Sequence, residues 1–459
     1  STLSQLTLIH TMRTGGTSTV RLPVPQLNGS GGKAVKVVNL SETVLEGNLG
    51  RVACAMIGTL TAMNTTLETL DLSNTGLGLA IGQEAEGGHI VLRPVCESKT
   101  CPFNDLVLKN IQLNDKAGQK FLSSLAAGLS SKEKAKANGY EKITSLSLAN
   151  NELGKSTGSL LKDVLWAEGC NLRHLDLSSN ALDGYDIGAC IKRNHSLTSM
   201  DIRSIPTANT DALFDFFGSF LLQEECKCHL GLLACDRFQI TEGQSELNLT
   251  GQIGSPCFKL LAGVVKFNSS LKSLNLASTG FGADAAGYFN AALKTNQTLE
   301  NLDLSKNPVC ITEESTDTTG ITLIAEGVAN HPALQSLKVD GAALPVAEFR
   351  GVDGAKDVVD VTDWGLGPSS GHVISTLARC NRIMSNLSLK GNPIGVQGAE
   401  AIVGGLFDAP LRVLNLTMAG LGEEDMKGLS TSVSKNLGWL SELRLDENGL
   451  KAGPEEMAP

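Results

Sequence analysis

The segment LRHLDLSSNAL, from Leu172 to Leu182, decides the fold of this chain. Its leucines and its asparagine follow the order L-x-x-L-x-L-x-x-N-x-L. Leu175 and Leu177 are separated by one residue, and this period of two points both side chains to the same face of a short strand. Asn180 follows where the chain must turn away from the strand. The segment therefore predicts a short strand with one buried face, followed by a turn.

The same order recurs along the chain. Four other segments match it in full: ITSLSLANNEL from Ile143, LENLDLSKNPV from Leu299, MSNLSLKGNPI from Met384 and LSELRLDENGL from Leu440. Matches without the asparagine start at Val35, Leu67, Phe103, Leu197, Leu271, Leu334, Lys356 and Leu411, and a weak match starts at Leu3. Many successive starts lie 27 to 29 residues apart. A fixed period of this length indicates a repeat protein, here with about sixteen units.

A helical pattern follows the strand segments, as in STGSLLKDVLWAEG from Ser156 and GAEAIVGGLFD from Gly398. Regular alternation of strand and helix predicts a parallel sheet, because a parallel return requires a crossover of about a dozen residues. A helix is roughly 10 Å wide, whereas neighbouring strands lie about 4.8 Å apart. The stack must therefore bend, which predicts an α/β horseshoe with a concave parallel β-sheet and convex helices.

The repeat resembles that of the leucine-rich repeat family, and its unit length resembles that of the ribonuclease-inhibitor-like subfamily, which carries a helix in each unit. The resemblance covers essentially the whole chain and implies a single solenoid over residues 1–459. Residues 1–34 are then an atypical N-terminal unit, and residues 203–270 hold degenerate repeats. Long steps between repeat starts predict insertions at residues 79–102 and 311–320.

The consensus asparagine has a physical role. Its amide can satisfy backbone groups of the turn that would otherwise be buried without a partner. The position is held by Asn151, Asn180, Asn307, Asn392 and Asn448. In other units it is held by Ile111, Ile205, Ala342 and Trp364, which cannot form these bonds. We expect looser turns in those units.

Composition excludes several classes of protein. Of the 459 residues, 41% are hydrophobic and 19% are charged, which fits a folded core and not a disordered chain. The 48 acidic residues outnumber the 38 basic ones, and the net charge of −10 disfavours binding to nucleic-acid phosphates. No window approaches about 18 consecutive apolar residues, and the N-terminus has no apolar signal region. We expect a cytoplasmic protein without a membrane span.

The residues Gly154-Lys155-Ser156, between a strand and a helix, look like part of a phosphate-binding loop. That motif requires another glycine five positions before Gly154, where this chain has Ala149. Gly154 is explained as a turn residue and Ser156 as the N-cap of the helix. We therefore expect no nucleotide and no other cofactor.

The segment CKCHLGLLAC gathers Cys226, Cys228, His229 and Cys235, which are residue types that bind zinc. On a strand, however, Cys226 and Cys228 would point to one face and His229 to the other. We interpret these cysteines as small buried hydrophobic residues and expect no metal. No residue lies in a recognisable nucleophile motif, so the sequence predicts no catalytic residue and no enzyme.

The residue between the two strand leucines points away from the core, onto the concave face of the predicted sheet. The candidate partner-binding residues on that face are Asp71, Asp176, Asp201, Asp303, Asp360, His174 and Arg444. A curved, mildly acidic wall favours a protein partner with a basic surface and speeds its encounter.

These features predict a non-catalytic protein-interaction or scaffold module, such as a structural subunit of a larger complex, for example a cytoskeletal one. Two alternatives follow from the resemblance. One is a GTPase-activating regulator similar to the Ran GTPase-activating proteins, although their long acidic C-terminal tail is not present in this sequence. The other is a sensor fragment of the intracellular immune-receptor type.

Overall fold

The computed structural model describes residues 3–11, 16–30, 34–41, 43–83, 93, 96, 101–206, 210–310, 317–352, 354–406, 409–422, 426–436 and 438–449. The chain forms two compact units, Ser1–Thr241 and Glu242–Pro459. Each unit contains strands that alternate with helices.

The first unit begins with an antiparallel hairpin and continues as an eight-stranded sheet. The hairpin consists of β1 (Leu6–Thr11) and β2 (Thr17–Leu22). The sheet contains β3 (Val37–Asn39), β4 (Thr69–Asp71), β5 (Asp105–Val107), β6 (Ser145–Ser147), β7 (His174–Asp176), β8 (Ser199–Asp201), β9 (Leu232–Ala234) and β10 (Gln239–Ile240). Strands β3 to β9 are parallel in chain order, and β10 is antiparallel to β9.

The helices of the first unit connect these strands. They are α1 (Val24–Asn28), α2 (Gly47–Thr61), α3 (Leu77–Gln83), α4 (Asp115–Leu129), α5 (Lys132–Ala137), α6 (Lys155–Leu165), α7 (Gly184–Ile191) and α8 (Asp211–Leu222).

The second unit contains two sheets. The five-stranded sheet holds β11 (Glu246–Asn248), β12 (Ser273–Asn275), β13 (Asn301–Asp303), β14 (Ser336–Lys338) and the antiparallel β15 (Leu344–Pro345). The four-stranded parallel sheet holds β16 (Val358–Asp360), β17 (Asn386–Ser388), β18 (Val413–Asn415) and β19 (Glu442–Arg444). The helices are α9 (Ser255–Phe267), α10 (Ala283–Leu293), α11 (Thr319–Ala329), α12 (Val346–Arg350), α13 (Pro368–Ala378), α14 (Gly395–Gly405) and α15 (Met426–Asn436).

The consensus leucines form the core between sheet and helices. Leu172, Leu175, Leu177 and Leu182 are each at most 4% exposed. Equivalent leucines pair across the ladder, as Leu146 does with Leu175. The predicted α/β repeat fold with parallel strands is confirmed. The leucines of one repeat are buried only when a neighbouring repeat packs on each side of it. The horseshoe and the single solenoid of about sixteen units stay predictions.

Several segments depart from the regular alternation of strand and helix. The weak repeat expected from Leu3 is wrong, because Leu6–Thr11 pair with Thr17–Leu22 in the antiparallel hairpin. The atypical unit over residues 1–34 stays a prediction. Residues 203–270 hold the very short strands β9 and β10 between α8 and β11, and residues 207–209 are outside the described part. Of the two predicted insertions, residues 84–92 and 311–316 also lie outside the described residues.

The consensus asparagines satisfy the turns as predicted. Asn307 accepts backbone N–H bonds from Thr279, Gly280 and Phe281 of the preceding repeat at 2.9–3.0 Å. Its Nδ2 donates to Leu276 O of that repeat at 2.7 Å and to its own turn. Where the consensus asparagine is missing at Ile111, Asn151 of the next repeat accepts the Ile111 N–H at 3.0 Å. The asparagine of one repeat thus provides hydrogen-bond partners for the turn of the repeat before it.

A second ladder, which the sequence analysis did not identify, lies before the strands. Its members are the buried Asn64, Asn194, Asn268, Asn296 and Asn381. Each accepts N–H bonds from the residues two and three positions later, as Asn296 does from Thr298 and Leu299 at 2.9 Å. Most also donate to carbonyls of the preceding repeat, as Asn296 does to Val265 at 2.7 Å.

His331 replaces asparagine in this ladder and is fully buried. Its Nδ1 accepts N–H bonds from Ala333 at 3.2 Å and Leu334 at 3.0 Å, and its Nε2 lies 3.2 Å from Oδ1 of Asn296. These bonds require the neutral ring with its proton on Nε2. Burial, together with the charge of Arg350, lowers the pKa of His331 from 6.5 to about 4.

Replacing Asn307 with alanine should lower the free energy of unfolding by about 2–4 kcal/mol, because several buried backbone groups lose their partners. The matched control is Asn301→Ala in the same repeat, whose side chain is exposed on the sheet face. Urea unfolding followed by circular dichroism measures both. Equal losses in the two variants would contradict a structural role for the Asn307 amide.

The free energy of unfolding should decrease as the pH falls from about 6.5 to about 4, because the unfolded chain binds a proton at His331 that the folded chain does not. The contribution of this group is at most about 1.4 kcal/mol for each pH unit. The His331→Asn variant, which has the residue of the other repeats, should lack this contribution. Denaturant unfolding at several pH values compares the two proteins, and identical pH profiles would refute the assignment.

Candidate functional site

The predicted aspartates lie on the face of the strands opposite to the buried leucines. Each is the last residue of its strand: Asp71 of β4, Asp176 of β7, Asp201 of β8, Asp303 of β13 and Asp360 of β16. The first four are half-buried and Asp360 is exposed. His174 and Arg444 lie on the same kind of face, at the start of β7 and the end of β19.

The structure brings only part of this set together. Asp176 lies in register with Asp201 on the neighbouring strand, and His174 lies in register with Ser145 and Ser199. Asp71 is three strands from Asp176, or about 14 Å at the usual strand spacing. Asp303, Asp360 and Arg444 belong to the second unit, where Asp303 is on one sheet and the other two are on another.

Each aspartate also closes the turn that follows its strand. Asp176 Oδ1 accepts a bond from Ser178 N–H at 3.0 Å and from Ser178 Oγ at 2.7 Å. Asp71, Asp303 and Asp360 make the same two bonds to the residue two positions later. Asn39, Asn275 and Asn415 make the backbone bond in other repeats. The carboxylates are therefore fixed in orientation by local structure.

These hydrogen bonds affect the acidity of the face. Hydrogen bonds from the Thr362 hydroxyl and N–H lower the pKa of Asp360. These hydrogen bonds favour the ionised form of Asp360. In the first unit, Oδ2 of Asp176 accepts a hydrogen bond from Ser147 Oγ at 2.9 Å.

Basic residues neutralise part of the face. Arg203 donates to Asp201 at 2.6 Å, and this bond raises the pKa of Arg203. Lys338 lies 3.6 Å from Asp303, and Arg444 donates to Glu442 at 2.6 Å. Sequence reasoning missed the Arg203 pair, although the two-residue spacing from Asp201 places both side chains on one face.

The segment around Gly154-Lys155-Ser156 holds a carboxylate where a phosphate would bind. Helix α6 begins at Lys155 with Gly154 as its N-cap, so the expected N-cap role of Ser156 is wrong. Asp115 of the preceding repeat accepts bonds from Gly154 N–H at 3.0 Å and Thr157 N–H at 2.8 Å. Although burial opposes it, these bonds lower the pKa of Asp115. The Asp115 carboxylate thus provides the negative charge that stabilises the N-terminus of α6.

The cysteine-rich segment is part of the core of the first unit. Cys228 and Cys235 are buried, and burial raises the pKa of Cys228 to about 12. Its thiol donates to Leu197 O, and the half-buried Cys226 donates to Cys228 O. In the part of the chain that the structure describes, no three His, Cys, Asp or Glu side chains are grouped so that they could hold a metal ion.

None of the helices within the described ranges combines the length and the apolar composition that a bilayer crossing requires.

Comparisons with known proteins agree with the repeat geometry. A family model described as Leucine Rich repeat matches residues 64–83 and 170–184. Ribonuclease inhibitor of Sus scrofa is 26% identical over 243 residues, which cover 52% of this chain and 46% of that protein. NACHT, LRR and PYD domains-containing protein 12 of Mus musculus is 23% identical over 287 residues, 58% of this chain and 25% of that protein. The chain thus spans less than half of the length of either relative.

Solved structures with related folds include the leucine-rich repeat-containing protein LegL7 from Legionella pneumophila. It is 14% identical with a TM-score of 0.38, and the match covers 77% of this chain and 94% of that one. The yeast complex of Rad7 and Elc1 matches at 17% identity and a TM-score of 0.29, over 68% of this chain and 77% of that one.

Replacing Asp176 with alanine should lower the free energy of unfolding by about 1 kcal/mol, because the turn after β7 loses its acceptor. Asp176→Asn should be close to the parent protein, since asparagine accepts the same backbone bond in β3, β12 and β18. Urea unfolding measures both variants. If the asparagine variant were as unstable as the alanine variant, the charge and not the turn would account for the loss.

Proposed function

The chain is a leucine-rich repeat protein similar to ribonuclease inhibitor, and from that premise we propose that it is a non-catalytic protein-interaction module whose sheet face binds a partner with a basic surface. The observation that carries this proposal is the sheet face of the first unit, where ordered carboxylates outnumber basic groups. We place this function in the cytoplasm, within a larger assembly.

The charge balance of the first sheet supports a basic partner. Its face carries the acidic residues Asp71, Asp105, Asp176, Asp201 and Asp236 and the basic residues Lys109 and Arg203. Among the described residues, Asp71 and Asp176 form no ion pair. Because their hydrogen bonds fix them in orientation, they lose little conformational entropy when a partner binds. A surplus of ordered negative charge also accelerates the approach of a basic protein.

The two units differ in this respect. In the second unit Lys338 lies beside Asp303, and Arg444 binds Glu442. In the first unit Arg203 pairs with Asp201, whereas Asp71 and Asp176 keep their charge uncompensated among the described residues. We therefore assign the contact with a basic partner chiefly to Asp71 and Asp176, and a lesser part to Asp201, Asp303, Asp360, His174 and Arg444.

A ribonuclease is one candidate partner with which the binding proposal can be tested. A ribonuclease can be mixed with the chain and its activity measured, because the Sus scrofa relative is named for inhibition of that enzyme. The GTPase-activating and immune-sensor alternatives stay predictions, and a GTPase-stimulation assay tests the first of them directly.

We expect the triple variant with asparagine at Asp71, Asp176 and Asp201 to lose the basic partner. Asparagine preserves the turn bond and removes the charge, so the effect reports binding and not folding. The measurement is quantitative affinity purification with mass spectrometry, comparing wild type and variant, followed by titration of the basic proteins that differ. The matched control is Asp163→Asn with Glu168→Gln, which removes two exposed carboxylates that lie outside the sheet and should leave the partner set unchanged. A partner set that is the same for wild type and triple variant would refute the proposal.

A further inference from the structure

A cluster of one exposed and two half-buried aromatic side chains lies on the helices of the first unit. Tyr185 on α7 is 56% exposed, and its ring centroid lies 5.9 Å from that of Phe216 on α8. Phe216 and Phe220 stack edge to face at 4.7 Å. Only 4% of the chain is aromatic, so three adjacent rings at the surface are unusual for it. Aromatic residues are enriched at the centre of protein interfaces.

Packing holds these rings in place. Phe216 lies against α7 at Gly188, where a Cβ atom would come within 2.6 Å of the Phe216 ring. The next residue, Phe217, is fully buried and anchors this turn of α8 in the core. The cluster of Tyr185, Phe216 and Phe220 is therefore an ordered surface, and a partner would meet it at a low entropic cost.

Neighbouring rings at the C-terminal ends of α6 and α8 already lie beside cations of the chain. The Nζ atom of Lys192 lies 5.5 Å from the Phe220 centroid, and the guanidinium of Arg193 lies 5.0 Å from the Trp166 centroid. Within the described residues, no lysine or arginine is placed in this way over Tyr185 or Phe216. The exposed Tyr185 ring can accept a cation from outside, because the ring quadrupole attracts positive charge.

Acidic residues lie on the same two helices as the rings. Asp183 is the N-cap of α7 and Asp186 lies in its first turn, while Asp211 and Asp215 are exposed on α8. Lys155 is 3.8 Å from Asp183. Burial and the charge of Asp183 raise the pKa of Asp186.

We propose that the aromatic cluster and its acidic rim bind a segment of a partner protein in which arginine or lysine side chains flank an apolar residue. The basic groups stack on Tyr185 and Phe216 and pair with the carboxylates, and the apolar residue covers Phe220. Glu224 and Glu225, exposed after the end of α8, extend the acidic rim. A second copy of this patch or an acidic segment would meet like charges. The helical side of the first unit thus provides a binding surface separate from the sheet face.

The test uses the full chain and a fluorescein-labelled peptide of two leucines flanked on each side by arginines. Fluorescence anisotropy should detect binding that weakens with added salt, and a peptide with glutamates in place of the arginines should not bind. The Tyr185→Ser, Phe216→Ser double variant should weaken binding by about tenfold, the effect expected for an aromatic anchor. A second variant, Asp211→Lys with Asp215→Lys, changes only exposed positions and should weaken binding in the same way.

Two controls separate this surface from others. Met63→Ser with Trp439→Ser removes exposed apolar side chains elsewhere and should leave the affinity unchanged. The asparagine triple variant of the sheet face should also retain peptide binding, so the two proposals fail independently. Absence of binding to wild type, equal binding of both peptides, or loss of binding only in the sheet-face variant would overturn the assignment.

Discussion

The turn that leaves each strand is buried between two repeats, and its backbone N–H and C=O groups must find partners there. Asn307 meets this requirement by bonding to its own turn and to the preceding one. Asn296 does the same at the other end of a repeat, where the chain re-enters the sheet. Because each amide serves two repeats, a repeat is complete only beside its neighbour, and the stack is stabilised as a series of such contacts.

The same requirement shapes the surface. An aspartate or asparagine at the end of a strand closes the following turn, so part of the acidic character of the sheet face is a by-product of folding. What distinguishes one region from another is the surrounding charge. Lys338 is placed beside Asp303 in the second unit, whereas the hydrogen bonds of Asp176 within the described residues come from the neutral groups of Ser147 and Ser178. The helical face differs again, because Tyr185 and Phe216 are not needed for the turns.

Much of the fold was predictable because leucine spacing reports directly on which face of a strand is buried. Leu175, Leu177 and Asn180 take the predicted positions. Other features depended on contacts between residues far apart in the chain. His331 replaces asparagine in a ladder that becomes visible only when equivalent positions are superimposed. Asp115 fills the helix N-terminus at Gly154 from the preceding repeat, 39 residues away along the chain, so local sequence pointed instead to Ser156 as the cap.

The sequence by itself determined the repeating strand and helix, the buried leucines and the consensus turns, because these depend on periodicity within about a dozen residues. Only contacts between repeats determine which charges are neutralised at a distance along the chain, as with Lys338 at Asp303, and which rings come together, as with Tyr185 and Phe216. Those outcomes depend on how neighbouring repeats align side chains that the consensus leaves free. A function based on binding resides in these variable side chains, and the fold supplies the rigid support that orders them.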